Sequence, residues 1–114
     1  MADCLFCKII AGEIPSTKVY EDDKIFAFKD INPTAPVHYL FIPKEHIQSA
    51  AEVTPENSAV VAHLFEKMAE VSKTLPECEK GFRIVSNCGE SAGQSVPHLH
   101  FHLIAGREFG WPAG

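Results

Sequence analysis

The chain lacks any apolar run approaching the roughly 20 residues of a bilayer-spanning helix. It also lacks an opening pattern of basic start, apolar core and small-residue cleavage site, and any internal repeat or low-complexity tract. There is no basic excess: Lys and Arg number 10 against 15 Asp and Glu, a formal net charge of −5. Broad binding to nucleic acid or to an anionic membrane needs a basic face, so neither is an expected partner. A small anionic ligand needs only local donors and stays compatible with this balance. Cysteine is sparse, at Cys4, Cys7, Cys78 and Cys88, which suits thiols or metal ligands better than a disulfide framework and makes the cytoplasm the expected compartment. Neither a P-loop nor a metal-binding carboxylate cluster is recognisable, so no cofactor is expected in the chemistry itself. What remains is an ordinary globular composition, 46% hydrophobic and 22% charged, and 114 residues suit a single domain, 1–114.

Against these absences stands one dense feature. From Gly93 to Ile104 the sequence reads Gly-Gln-Ser-Val-Pro-His-Leu-His-Phe-His-Leu-Ile, three of the six histidines on alternate positions of an apolar run. Such alternation predicts a strand over 98–104, and on a strand alternate side chains share a face. His98, His100 and His102 should stand in a row, with Leu99, Phe101 and Leu103 turned to a core. Each two-residue step advances about 6.6 Å, so the three converge poorly on one tetrahedral ion. A central imidazole flanked by two others suits nucleophilic catalysis; a polar, solvent-facing strand is the bland alternative.

The rest of the chain supplies the scaffold. Asp3 can cap a short helix through Phe6, Ile9 and Ile10, ended by Gly12 and Pro15. Strands are predicted over 18–21 and 24–29, joined at Asp22-Asp23, and over 37–42, stopped by Pro43. Thr54 is the expected N-cap of one long helix with Pro55 in its first position. Val60, Leu64, Met68, Val71 and Leu75 form its apolar stripe up to Pro76. A fourth strand over 82–88 and a flexible loop lead to the histidine strand, where Pro97, without a donor, delays pairing to His98 or beyond. The class is α+β, an antiparallel sheet with one long and one short helix.

The pattern His-apolar-His-apolar-His-apolar-apolar, His98 to Ile104, resembles the signature of the histidine triad superfamily. Gly93 to Val96 before it, and Gly106-Arg107 to Trp111-Pro112 after it, are similar to its nucleotide-binding branch. The resemblance spans nearly the whole chain. It implies a five-stranded antiparallel sheet with two helices, a homodimer whose sheet continues across both copies, and hydrolysis of purine nucleoside 5′-phosphoramidates through a nucleotidyl-histidine intermediate. A nucleotide-binding or interaction module with little turnover and a dinucleoside polyphosphate hydrolase are the competing functions.

The same resemblance distributes roles. His100 becomes the nucleophile. His102, Ser95 and the amides of the Gly93-Gln94 loop become donors to the transferring group, with Ser95 serving the leaving atom and His38 orienting the site. Asp30 would accept from the ribose hydroxyls and Asn87 would bond the ribose or phosphate. Leu5, Phe6, Ile9, Phe28 and Ile31 would line the base slot, and the tail 105–114 would bring Trp111 to the partner's site. Cys4 and Cys7 have the two-residue gap of a zinc half-site, with a redox pair and two inert thiols as alternatives. Some relatives complete that half-site with histidines matching His46 and His98, which implies a structural zinc and makes His98 act by fixing the strand that carries His100. His63 matches no functional position and is expected at or near the surface.

Overall fold

Five short segments pair into one antiparallel sheet in the computed structural model, which describes residues 4–114. β1 (Lys18–Glu21), β2 (Ile25–Lys29) and β3 (Val37–Pro43) are successive neighbours. β5 (Phe101–Ala105) then lies between β3 and β4 (Phe82–Val85), so the order is β1-β2-β3-β5-β4 and β4 forms an edge. The long helix α2 (Ser58–Ser72) carries the chain from β3 to that edge.

Register divides the sheet into two faces. Phe28 opposes Leu40, and Leu40 opposes His102; one residue along, Ala27 opposes Phe41, and Phe41 opposes Phe101. The second face is covered by α2, whose Leu64 and Met68 are fully buried against Ile25, Ala27, Phe41, Phe101 and Leu103. Burying each such side chain stabilises by about 2 kcal/mol. The first face receives the short helix α1 (Leu5–Ile10), whose Phe6 and Ile9 pack on Phe26, Phe28, Leu40 and Ile42. No helix among the described residues is long and apolar enough to cross a membrane.

Polar contacts lock α2 to the β1–β2 turn. Asp22 Oδ1 accepts the Lys24 and Ile25 amides at 2.8 and 3.0 Å, while Oδ2 accepts from the Tyr20 hydroxyl at 2.8 Å and lies 2.6 Å from His63 Nε2. Burial by itself would raise the Asp22 carboxyl, but these donors outweigh it and hold it well below the usual carboxylate range. His63 is half-buried and acts as the helix's side of this tie.

The element boundaries differ from the sequence reading for local reasons. The expected Asp3 cap lies outside the described residues, and Cys4 takes the N-cap place, its Sγ accepting the Cys7 amide at 3.4 Å. α2 starts at Ser58, four residues after Thr54, because Asn57 bonds Thr54 N–H at 2.8 Å and Glu52 carbonyl at 3.1 Å and folds 54–57 into a turn. β4 stops at Val85, after which the Ser86 hydroxyl caps the His100 carbonyl at 2.8 Å. β5 begins only at Phe101. Pro97 offers no donor, the His98 amide turns back to Val96 at 2.8 Å, and the Leu99 amide bonds Ile47 beyond β3 at 2.6 Å.

Candidate functional site

The histidine row forms although two of its members precede the strand. Across the face carrying α1, rings follow one another. His46 meets His98 at 4.9 Å between centroids, and Phe6 stands edge-on to His98 and His100 at 5.9 and 5.1 Å. His100 meets His102 at 5.2 Å, and His102 meets His38 at 5.1 Å. His98, His100 and His38 are buried and His102 is partly so.

Backbone partners set which nitrogen of each ring carries hydrogen, because a carbonyl only accepts and an amide N–H only donates. His100 Nδ1 donates to the His98 carbonyl at 2.7 Å, so Nε2 of the neutral ring keeps its lone pair. His98 Nε2 donates to the Pro43 carbonyl at 2.8 Å, leaving the Nδ1 lone pair aimed at sulfur. At the other end the order reverses. His38 Nδ1 accepts the Thr34 amide at 3.1 Å, so His38 Nε2–H donates to His102 Nδ1 at 2.8 Å, and the neutral His102 ring carries its hydrogen on Nε2. A nucleophilic nitrogen and a donor N–H thus belong to adjacent imidazoles.

Two groups on this face have residue types that bind metals, and they differ in chemistry. In the first, Cys4, Cys7, His46 and His98 bring one ligand atom each within 4.8 Å of one another. Cys4 Sγ lies 3.3 Å from His98 Nδ1, and Cys7 Sγ lies 3.3 Å from His46 Nδ1 and 3.6 Å from His98 Nδ1. A sulfur–nitrogen edge of a tetrahedral zinc site is about 3.6 Å long, so the donor set fits such an ion. The His98 Nε2–H bond to a carbonyl is the support that metal-bound imidazoles ordinarily have. Burial, with Cys4 alongside, pushes the Cys7 thiol up to about 11, a proton that a bound dication would displace. In the second group, Asp30, His38 and His102, the His38 Nε2 position holds a hydrogen and is bonded to His102, with Asp30 Oδ2 3.4 Å away. In that group Asp30 favours positive charge on His38, but burial outweighs it and lowers the ring.

The other anticipated residues lie outside the row itself. Phe6, Ile9 and Phe28 are buried beside the row, while Leu5 is exposed and Ile31 is 90% exposed. Asp30 Oδ1 accepts the Asn32 amide at 2.8 Å, and Asn87 is half-buried beyond β4. In the loop before the row, Gly93 adopts φ +85° and donates its amide to Glu90, and the Gln94 amide goes to Gly89. The Gln94 side chain braces the same loop by accepting from Gly89 N–H at 2.9 Å and donating to Gln48 and Val96 carbonyls at 2.8 and 3.0 Å. Those two residues therefore shape the loop with the very groups expected to face a ligand, and Ser95 stands exposed beside them. Trp111 is 87% exposed at the end of the tail. Sequence reasoning missed Thr34 and Pro43, which act through backbone atoms, and no residue type signals such a role.

Burial, with His100 and His38 alongside, pushes His102 down to about 4, and burial lowers His38 and His98 as well. A histidine held below its unfolded value contributes its full stability above about pH 6.5 and loses it as pH falls towards the folded value. Stability is therefore expected to decline from pH 6.5 to about 4, with His102 contributing on the order of 1 kcal/mol per pH unit. Urea titrations across that range should show a shallower slope for His102→Gln; an unchanged slope would remove His102 as the source.

Comparison with known proteins bears on the family and the fold. A family model described as HIT domain matches residues 11–109. An uncharacterised HIT-like protein of Synechocystis is 49% identical over 112 residues, covering 98% of this chain and 97% of its own. Among solved structures, a HIT family hydrolase from Legionella pneumophila superposes with TM-score 0.95 at 44% identity, covering 98% of this chain and 100% of that one. A HIT family hydrolase from Clostridium thermocellum gives 0.93 at 47% identity, covering 96% of each chain.

Proposed function

The chain belongs to the HIT domain family, and from that premise we propose that it is a purine nucleoside 5′-phosphoramidate hydrolase. The observation that carries the reading is the 2.7 Å bond from His100 Nδ1 to the His98 carbonyl, which in the neutral ring leaves the Nε2 lone pair free beside the donor His102. In the proposed first step Nε2 attacks the α-phosphorus; a P–N(imidazole) bond forms as the bond to the amine breaks, and the amine leaves with a proton supplied through Ser95. In the second step water attacks phosphorus and displaces His100, and the proton it surrenders returns through Ser95 to replace the one given to the amine, releasing the nucleoside monophosphate. His102 Nε2–H faces the oxygens that gain charge in both steps. The Asp30 carboxylate retains lone pairs for ribose hydroxyls, and Leu5, Phe6, Ile9, Phe28 and Ile31 offer the base an apolar slot that accepts a purine by burial and stacking.

Cys4, Cys7, His46 and His98 would hold a structural zinc, which supplies a fixed tether between α1 and the segment leading to His100. The working unit we propose is a homodimer joined along β4, an edge strand with Phe82 exposed on it and Phe65 exposed on the neighbouring helix. Trp111 would then contact the leaving group across that interface. The test is intact-mass spectrometry after brief mixing with an AMP phosphoramidate. An AMP adduct mapped to 98–104 and release of AMP support the reading; absence of both, with the nucleotide still bound, would make the protein a binding module.

A further inference from the structure

The donor that sets the direction of the His38–His102 pair is not a side chain but the Thr34 amide, in the loop between β2 and β3. Something must hold that loop. Thr34 itself is exposed, and its hydroxyl, 3.5 Å from His38 Nδ1, is too distant to do so. Two contacts from the segment after β5 do reach it. Arg107 Nε donates to the Thr34 carbonyl at 2.8 Å. One residue earlier Gly106, at φ +99°, lies so close that a Cβ there would come within 2.8 Å of the Pro36 ring. The guanidinium is itself positioned. It stacks on Phe109 at 4.4 Å and donates through a second nitrogen to the Glu108 carbonyl at 3.0 Å, while Arg83 covers Phe109 at 5.2 Å and holds the Gly110 carbonyl at 2.9 Å.

We infer that Arg107 is a positioning residue for the proposed reaction: by clamping the Thr34 carbonyl it fixes the Thr34 amide on His38 Nδ1 and so fixes which nitrogen of His102 carries hydrogen. If the Thr34 amide turns away, only Asp30 Oδ2, 3.4 Å from His38 Nε2, still favours hydrogen on that nitrogen, and a fraction of His38 carries it on Nδ1, which presents a bare Nε2 to His102. His102 then has to donate through Nδ1 to keep the 2.8 Å bond, and its Nε2 becomes an acceptor facing oxygens that need a donor. A guanidinium is suited to this clamp because it stays charged and its donors are set in one plane, so stacking on Phe109 orients the nitrogen that reaches Thr34. The tail that carries Trp111 is thereby connected to the proton arrangement of its own subunit.

This inference rests on the proposed reaction for its kinetic effect but not for its main readout, the ring nitrogen spectrum of the metal-replete protein. In wild type, His38 and His102 should both appear as the Nε2–H form. In Arg107→Ala, and independently in Gly106→Ala, His38 and His102 should show a mixture of the two forms with the fold intact. Hydrolysis of an AMP phosphoramidate by Arg107→Ala should lose about tenfold in kcat with KM held within about twofold, and Arg107→Lys should recover part of it. In a His38→Ala background, Arg107→Ala should cause no further loss, since the ring it acts through is gone. Unchanged ring forms in both tail variants, or an equal tenfold loss in the His38→Ala background, would overturn the inference. A wild type that turns over no phosphoramidate would instead sink the proposed reaction, leaving the ring spectra to decide the positioning.

Discussion

Replacing His100 with alanine is expected to reduce turnover of an AMP phosphoramidate by at least about 10⁴-fold and to abolish the covalent AMP adduct. The size of the effect follows from what the ring supplies. Its Nε2 is the lone pair that the His98 carbonyl leaves free, and water in the same place would have to be deprotonated by some other group as it attacked. His100→Ala also opens a gap beside Phe6, whose ring stands 5.1 Å from the imidazole, so nucleotide affinity and circular dichroism must be measured on the same preparation. His100→Gln fills more of that space and should be as inactive. Binding of AMP retained within about fivefold, together with lost turnover, would separate chemistry from folding. Turnover within about tenfold of wild type would mean that His100 is not the nucleophile.

The second large effect is on stability. Cys7→Ser is expected to purify without stoichiometric zinc and to melt about 15 °C lower than wild type. An ion held at a thousand times its dissociation constant contributes about 4 kcal/mol, and for a domain of this size each kcal/mol moves the midpoint by about 4 °C. Removing the ion would also leave two thiols and two imidazoles crowded within 4.8 Å with no charge to gather around. Cys78→Ser and Cys88→Ser, in cysteines that take no part in the cluster, should keep the metal. Elemental analysis paired with melting curves in the presence and absence of a chelator reads both effects. Wild-type protein without a bound transition metal, and indifferent to the chelator, would refute the zinc assignment. Turnover by Cys7→Ser should fall much less than in His100→Ala, because the metal would reach the reacting ring only through His98 and its carbonyl.

What the sequence made legible was faces, and what it hid was partners. Apolar segments over 24–29 and 37–42 bounded by turn residues, and the apolar stripe from Val60 to Leu75, were enough to anticipate a sheet with a helix on it. Alternation from His98 to Leu103 put the histidines together, even though the strand itself begins at Phe101, three residues after His98. Periodicity reports which way side chains point, and that survives when a proline moves the ladder. It could not reveal that β5 lies between β3 and β4, which depends on contacts between distant segments. The Cys4 and Cys7 spacing marked half of a metal-type cluster, and only the fold brings His46 and His98 to it. Gln94 shows the opposite limit: a polar residue beside a functional motif, whose side chain is occupied in holding its own loop. Thr34 and Pro43 were invisible because their amide and carbonyl carry no residue-type signature.

The strand order has a consequence for how the protein is made. β5 is interior to the sheet yet follows every other strand in sequence. While a ribosome is still translating the stretch before it, β3 and β4 have no strand between them and His98 is not present to meet the two cysteines. The hairpin of β1 and β2, with β3 beside it, is able to form from local contacts, but the second half of the sheet must wait for a pairing across more than half the chain. Completion of the fold and assembly of the reacting groups are therefore a single late event, and a prematurely terminated chain would expose two open strand edges to chaperones or to aggregation without ever possessing a partly active site.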